Sequence, residues 1–183
     1  TYGSGSTFRV VITYRFFYFF DDWGNNHEGD WENIRLTFSS TPSCVFGSLP
    51  ALIRKGCVPL SATYSQHSKL ETRPWSYVTK RDVTHPLVFV GNGSHASYFR
   101  PGSYLASADW APRDPRQPDL GDSRAALGRV IMPSVRIVDC SAPPRWWQFK
   151  GLWGEKLKRR FSSGPRLTPL CGASAKLASA EDE

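Results

Sequence analysis

Between residues 8 and 20 the chain reads FRVVITYRFFYFF, and polar positions almost vanish. β-branched and aromatic residues of this kind favour a strand. From Phe16 to Phe20 both faces are apolar, which predicts a central strand covered on both sides. Residues 21–29 are rich in Asp, Asn and Gly and read as a loop. Residues 30–38 then alternate, with Ile34, Leu36 and Phe38 on one face and Asn33, Arg35 and Thr37 on the other. Residues 39–57 mix turn residues with a short apolar stretch. Further strands are predicted over 58–66, 75–79 (a short edge strand) and 128–138. Residues 85–99 read as an apolar strand, a Gly-rich turn and a second extended piece. The aromatic stretch 145–153 is predicted to be extended, and 109–124 to be a Pro-rich surface loop. Residues 1–7 read as a loose start and 172–183 as a flexible tail. The pattern predicts a mainly β chain: a single-domain antiparallel β-sandwich over 8–171 with long Pro/Gly-rich loops.

Composition agrees with that architecture. The 183 residues suggest one domain, and 15 Gly with 14 Pro imply frequent turns. The net charge is +7. Seven of the 23 basic residues (Arg145, Lys150, Lys156, Lys158, Arg159, Arg160 and Arg166) fall within 145–166 against one acid, Glu155. Such a run is a solvated face or marks an anionic partner such as lipid head groups. It matches no nucleic-acid recognition motif, so sequence-specific nucleic-acid binding is not expected. The apolar run 10–20 is too short to span a membrane and carries Arg15, so no transmembrane segment is expected. No C-x-x-C pair occurs among Cys44, Cys57, Cys140 and Cys171, which argues against a structural zinc knuckle. Cys44 and Cys57 bracket a loop and suit a disulfide in a secreted protein, although three pairings of the four remain open.

The candidate chemistry lies in FFDDWGNNHEGDWENIRL, residues 19–36, which holds five carboxylates and one histidine around two tryptophans. On a strand, Asp30 and Glu32 share the face of Ile34, Leu36 and Phe38 and therefore aim inward. A buried carboxylate needs a cation, a proton or strong donors. Gly29 allows a sharp bend that swings His27 towards the same point, and Asp21 and Asp22 end the preceding strand. If 8–20 and 30–38 pair as a hairpin, these groups converge. His95 follows an apolar strand through GNGSH and stands at a strand end in the same way. Asp21, Asp22, His27, Asp30, Glu32 and His95 are therefore the candidate ligands of a hard or borderline divalent cation: Ca²⁺, Mg²⁺ or Mn²⁺. The competing reading pairs the acids with Arg15, Arg35 or the basic segment. Trp31 points to the opposite face, for packing. No G-x-S-x-G elbow exists, and GNGSH lacks the lysine of a phosphate loop.

The blocks YRFFYFFDDWGNNHEGDWENIRL, ATYSQH, THPLVFVGNGSHASYF and FKGLWGE followed by SGP, in that order over about 12–166, resemble the vacuolar protein sorting-associated protein 62 family. Members usually carry a further N-terminal region, so the resemblance implies that part of the family domain is missing. HEGDWE is also similar, more weakly, to the motif of the necrosis- and ethylene-inducing-like cytolysins. Those are β-sandwiches with a divalent cation at the mouth. The shared H-x-x-D-x-E pattern falls on His27, Asp30 and Glu32, an upstream Asp belongs to that site, and Gly29 replaces a motif histidine.

These resemblances imply a cation-binding β-sandwich module that engages a membrane surface, a glycolipid or a protein partner, with 145–166 and its tryptophans adding attraction to anionic head groups. A secreted or endomembrane location fits that reading. The alternative is a metal-dependent hydrolase in which Glu28, Glu32 or His95 serves as general base. A third reading is structural, with the cation holding the fold.

Overall fold

The computed structural model describes residues 10–23, 27–39, 57–66, 69–82, 84–105, 121–125, 130–139 and 141–154. The predicted loose start, most of 39–57 and of 109–124, the basic run beyond 154 and the tail lie outside the described residues.

The principal sheet has four antiparallel strands in sequential order: β1 (Val10–Asp21), β2 (His27–Phe38), β3 (Ser61–Gln66) and β4 (Lys69–Pro74). β1 and β2 form a long hairpin with Ile12 opposite Leu36, Phe16 opposite Glu32, Tyr18 opposite Asp30 and Asp21 opposite His27. β3 pairs with β2 only from Ile34 to Thr37. Three small antiparallel ladders follow. β5 (Lys80–Arg81) pairs with β6 (His85–Pro86), β7 (Phe89–Val90) with β8 (Ser97–Tyr98), and β9 (Gly102–Leu105) with β10 (Gly121–Ala125). The described residues hold no α-helix, only a 3₁₀ turn over Arg145–Gln148, and thus no helix long and apolar enough to cross a membrane. The chain is mainly β and antiparallel.

One face of the principal sheet carries the core: Ile34, Leu36, Phe38, Ala62, Tyr64, Trp75, Val78 and Phe99, with Val10, Ile12, Tyr14 and Phe16 packed against it. The Tyr64 ring stacks on Phe99 at 3.9 Å, and its buried hydroxyl donates to the Leu87 carbonyl at 3.1 Å. That bond removes the penalty for burying the phenol.

Several expected elements differ. β1 is an edge strand among the described strands, not a central one, and Phe19 is 78 % exposed. Among the described residues its outward face is covered in the middle by an irregular aromatic segment and not by a second sheet. Phe17 meets Trp31 at 5.0 Å and Trp153 at 5.5 Å, and the Arg15 guanidinium lies over Trp147. The stretch 75–79 is a turn instead of an edge strand, bound by Lys80, whose ammonium donates to the carbonyls of Trp75 and Val78. The edge strand is β4, one step earlier. Residues 130–138 form no ladder despite their β-branched residues. Pro133 lacks the N–H a ladder needs. The stretch 145–153 opens with the 3₁₀ turn because Pro143 and Pro144 set its entry. Residues 121–124, expected in a loop, belong to β10. Cys57 is disulfide-bonded to a cysteine outside the described residues.

Candidate metal centre

β2 buries alternate residues from Asp30 to Phe38, but the alternation slips at its start, where Gly29 and Asp30 are both buried. Gly29 has φ +68°, a backbone that L-residues with a β-carbon rarely adopt. The slip turns His27 to the same side as Asp30, and its Nε2 lies 4.0 Å from Asp30 Oδ1. Without it, the odd-numbered His27 would face away from the even-numbered acids.

His95 arrives from the other side. The turn between β7 and β8 is closed by Gly91 N–H to the Ala96 carbonyl and His95 N–H to the Gly91 carbonyl. Gly93, at φ +90°, lies so close to Asp22 that a β-carbon there would sit 2.4 Å from the Asp22 carbonyl oxygen. The Asp22 N–H donates to the Gly93 carbonyl at 3.1 Å. The turn is thereby pinned to the end of β1. His95 itself has φ +57°, a left-handed conformation that costs a non-glycine residue roughly 1–2 kcal/mol. Its Nδ1 lies 3.0 Å from Asp30 Oδ2, and its ring stacks on Tyr18 at 4.0 Å with 3° between planes.

One ligand atom each from Asp21, Asp30 and His95 lies within 4.8 Å of the others. Asp21 also accepts the Trp23 N–H at 2.9 Å, which fixes its carboxylate at the end of β1. Asp22 is exposed and stands outside this group. His27 is adjacent through Asp30, and its Nδ1 is buried without a hydrogen-bond partner. Glu32 is one step deeper. It accepts the Ser65 hydroxyl, which in turn accepts the Asn33 N–H at 3.1 Å.

No arginine or lysine among the described residues forms an ion pair with Asp21, Asp30 or Glu32; Asp30 is met by the two histidines. Electrostatics reflect this shortage of cations. Burial pushes the Asp21 carboxyl up to about 6, reinforced by Asp30 and opposed by His27 and His95. Burial pushes Glu32 up to about 8, opposed by the Ser65 hydrogen bond and raised further by Asp30 and Asp21. The Tyr18 hydroxyl is pushed up to about 12 by burial and then by Glu32 and Asp30. The cluster is therefore short of positive charge, the condition under which a carboxylate pocket takes up a cation or a proton.

Sequence reasoning missed Tyr18 and Ser65. Tyr18 lies within the apolar run and gives no signal there. Ser65 becomes relevant only when β3 lies beside β2. The site also rests on a contact from the C-terminal aromatic segment. A β-carbon on Gly29 would lie 2.0 Å from the Trp153 carbonyl oxygen, and one on Gly154 2.4 Å from that of Glu28. Two backbones meet here with no side chain between them. The chain matches no known protein family, curated protein or solved structure.

Proposed function

We propose that this chain is a divalent-cation-binding β-sandwich module of the vacuolar protein sorting-associated protein 62 type. In this reading the cation, Ca²⁺, Mg²⁺ or Mn²⁺, is held by Asp21, Asp30 and His95 at the mouth of the sandwich. His27 and Glu32 stand behind them. The observation that carries the reading is the convergence of two buried carboxylates and an imidazole within 4.8 Å, with no Lys or Arg of the described residues paired to them. The donor set fits such an ion: carboxylate oxygens suit hard cations, and one imidazole extends the range to Mn²⁺. The ion would take the place of the contact between His95 Nδ1 and Asp30 Oδ2. Two protein carboxylates and one histidine leave coordination positions for water or for an oxygen of a bound partner. The module would thus engage a membrane surface, a glycolipid or a protein.

The test is a thermal-shift series on EDTA-treated protein with Ca²⁺, Mg²⁺, Mn²⁺ and Zn²⁺, repeated on Asp30→Ala. A ligand that binds only the folded state stabilises it by roughly 2.7 kcal/mol at a hundredfold excess over its dissociation constant. An upward shift with one of the first three ions, lost in the variant, is the expected result. The absence of a shift with any ion would overturn the reading.

A second reading is favoured by one distance. His95 Nδ1 bonds Asp30 Oδ2 at 3.0 Å, the way a carboxylate orients a general-base imidazole. A metal-dependent hydrolase would use that pair. Turnover of phosphoester, ester or glycoside substrates with added Mn²⁺, lost in Asp30→Ala, would select it.

A further inference from the structure

The C-terminal aromatic segment forms a second feature, on the opposite face of the β1–β2 hairpin from the acidic cluster. An open depression of about 440 Å³ is lined by Arg145, Trp146, Gln148, Phe149 and Trp153. Three of the five lining residues are aromatic. Phe149 and Trp153 meet edge to face, 5.4 Å apart at 83°, and Trp146 stands over Trp31 with 7° between planes. The walls are held in place. Trp147 is buried beneath the Arg15 guanidinium, and the 153–154 backbone lies directly on Gly29. A β-carbon on Gly151 would strike the Phe149 ring at 2.3 Å, so glycine clears the room that ring occupies.

The chemistry of the lining selects among ligands. A sugar needs many hydrogen-bonding groups, and this depression has few: the Gln148 amide N–H donates to the Pro143 carbonyl at 3.2 Å. A quaternary ammonium has no hydrogen to donate and is held by ring faces alone. A methylated lysine is usually met with a carboxylate, and among the described residues none lines the depression. Arg145 also lines the depression, and it makes no ion pair among the described residues. A ligand that carries a trimethylammonium on one side and a phosphate on the other satisfies both. We propose that this depression binds phosphocholine, with the ammonium between Trp146, Phe149 and Trp153 and the phosphate on Arg145. The source it fits is a lipid surface. Phe17, whose ring touches Trp153, and Phe19, next on the same face of β1, are both exposed beside it and suit the aromatic-rich interface of a bilayer. The proposal does not rest on the cation site.

The test uses the full chain with EDTA and with Mn²⁺. Tryptophan fluorescence is titrated with phosphocholine, choline and inorganic phosphate, and co-sedimentation compares phosphatidylcholine with phosphatidylglycerol vesicles. The expected result is saturable binding in the order phosphocholine, choline, phosphate, unchanged by chelation, and retention by phosphatidylcholine vesicles that free phosphocholine competes away. Trp146→Ala should weaken it about two- to fivefold, the size of an exposed cation–π contact. Arg145→Glu should invert the order so that choline binds better than phosphocholine, a result that misfolding cannot give. No saturable phosphocholine response, or an order unchanged in Arg145→Glu, overturns the proposal. Binding of free phosphocholine without vesicle retention overturns the lipid source. Equal retention by phosphatidylglycerol would mean plain charge attraction, and loss on chelation would move the phosphate to the cation site; either also overturns it.

Discussion

On the inward face of β2, Ile34, Leu36 and Phe38 are 2–4 % exposed, while Asp30 and Glu32 on the same face are 7–9 % exposed. Burial is nearly equal, yet the surroundings differ. The apolar half is flanked by β3, whose Tyr64 and Ala62 pair opposite Ile34 and Leu36. The acidic half runs past the β2–β3 ladder and is met by the 91–96 turn, with His95 beside Asp30. Period-two alternation decides which residues go inside. The covering element decides whether the inside is a core or a site.

The largest expected break in this comparison comes from the apolar half. Leu36→Ala should cost about 2–5 kcal/mol, the usual range for a buried leucine. The loss, read from denaturant midpoints, should be the same with a divalent cation as with EDTA. A loss that depended on the cation would mean that the two halves are one unit.

The acidic half should instead respond to pH. Glu32 is raised from its ordinary 4.5 to about 8, and Asp21 from 3.8 to about 6. A carboxyl raised in the folded state contributes stability that is complete below its unfolded value and is lost as pH rises through the folded value. Without cation, the unfolding free energy should therefore fall as pH rises from about 4 through 6 to 8, by an amount on the order of a few kcal/mol. Glu32→Gln should flatten the upper part of that slope. Saturating cation should oppose it, because the ion replaces the protons. A flat profile in EDTA would show that the acids are already neutralised.

A smaller, sharper test is His95→Asn. Asparagine tolerates the left-handed backbone that this position requires, so the fold should be kept. Removal of the imidazole should weaken cation binding by at least about tenfold, or 1.4 kcal/mol, in a calorimetric titration. An unchanged affinity would remove His95 from the ligand set. The smallest effect is expected at Phe19→Ser, where the side chain is 78 % exposed: within about 0.5 kcal/mol of the parent stability. A larger loss would show that Phe19 is covered in solution.

Much of the hairpin was legible in the sequence. Alternation through 30–38 gives β2 its inward face, and the apolar run gives β1 its length. The inward aim of Asp30 and Glu32 follows from the same alternation. The bend at Gly29 that swings His27 towards Asp30 was expected; what could not be read was that it lies inside β2, which starts three residues earlier than the alternation shows. A glycine signals conformational freedom without saying how it is used. β4 was missed because KLETRP is largely exposed and has no apolar period. It is held by its ladder and by a Thr63–Thr72 hydroxyl bond at 2.9 Å. The strand, Gly-rich turn and extended piece read over 85–99 correspond to β7, the 91–96 turn and β8, whereas the two-residue β5–β6 ladder at His85 is too short to show periodicity. The docking of 145–154 onto the outer face of the hairpin depends on Gly29 and Gly154, two positions far apart in the chain. No single stretch of sequence contains that relation.

The three glycine contacts at 29, 93 and 154 have a consequence for mutational tolerance. At each, a backbone oxygen of another segment occupies the space a β-carbon would need. In a saturation library scored for folding, these positions should reject all nineteen alternatives, alanine included, while Asp22 beside Gly93 tolerates most. Selection at the glycines would therefore persist in a descendant that had lost every ligand side chain. A relative that keeps these three glycines but not the acids would have inherited the frame without the site, and the glycine pattern is the surer guide to finding it.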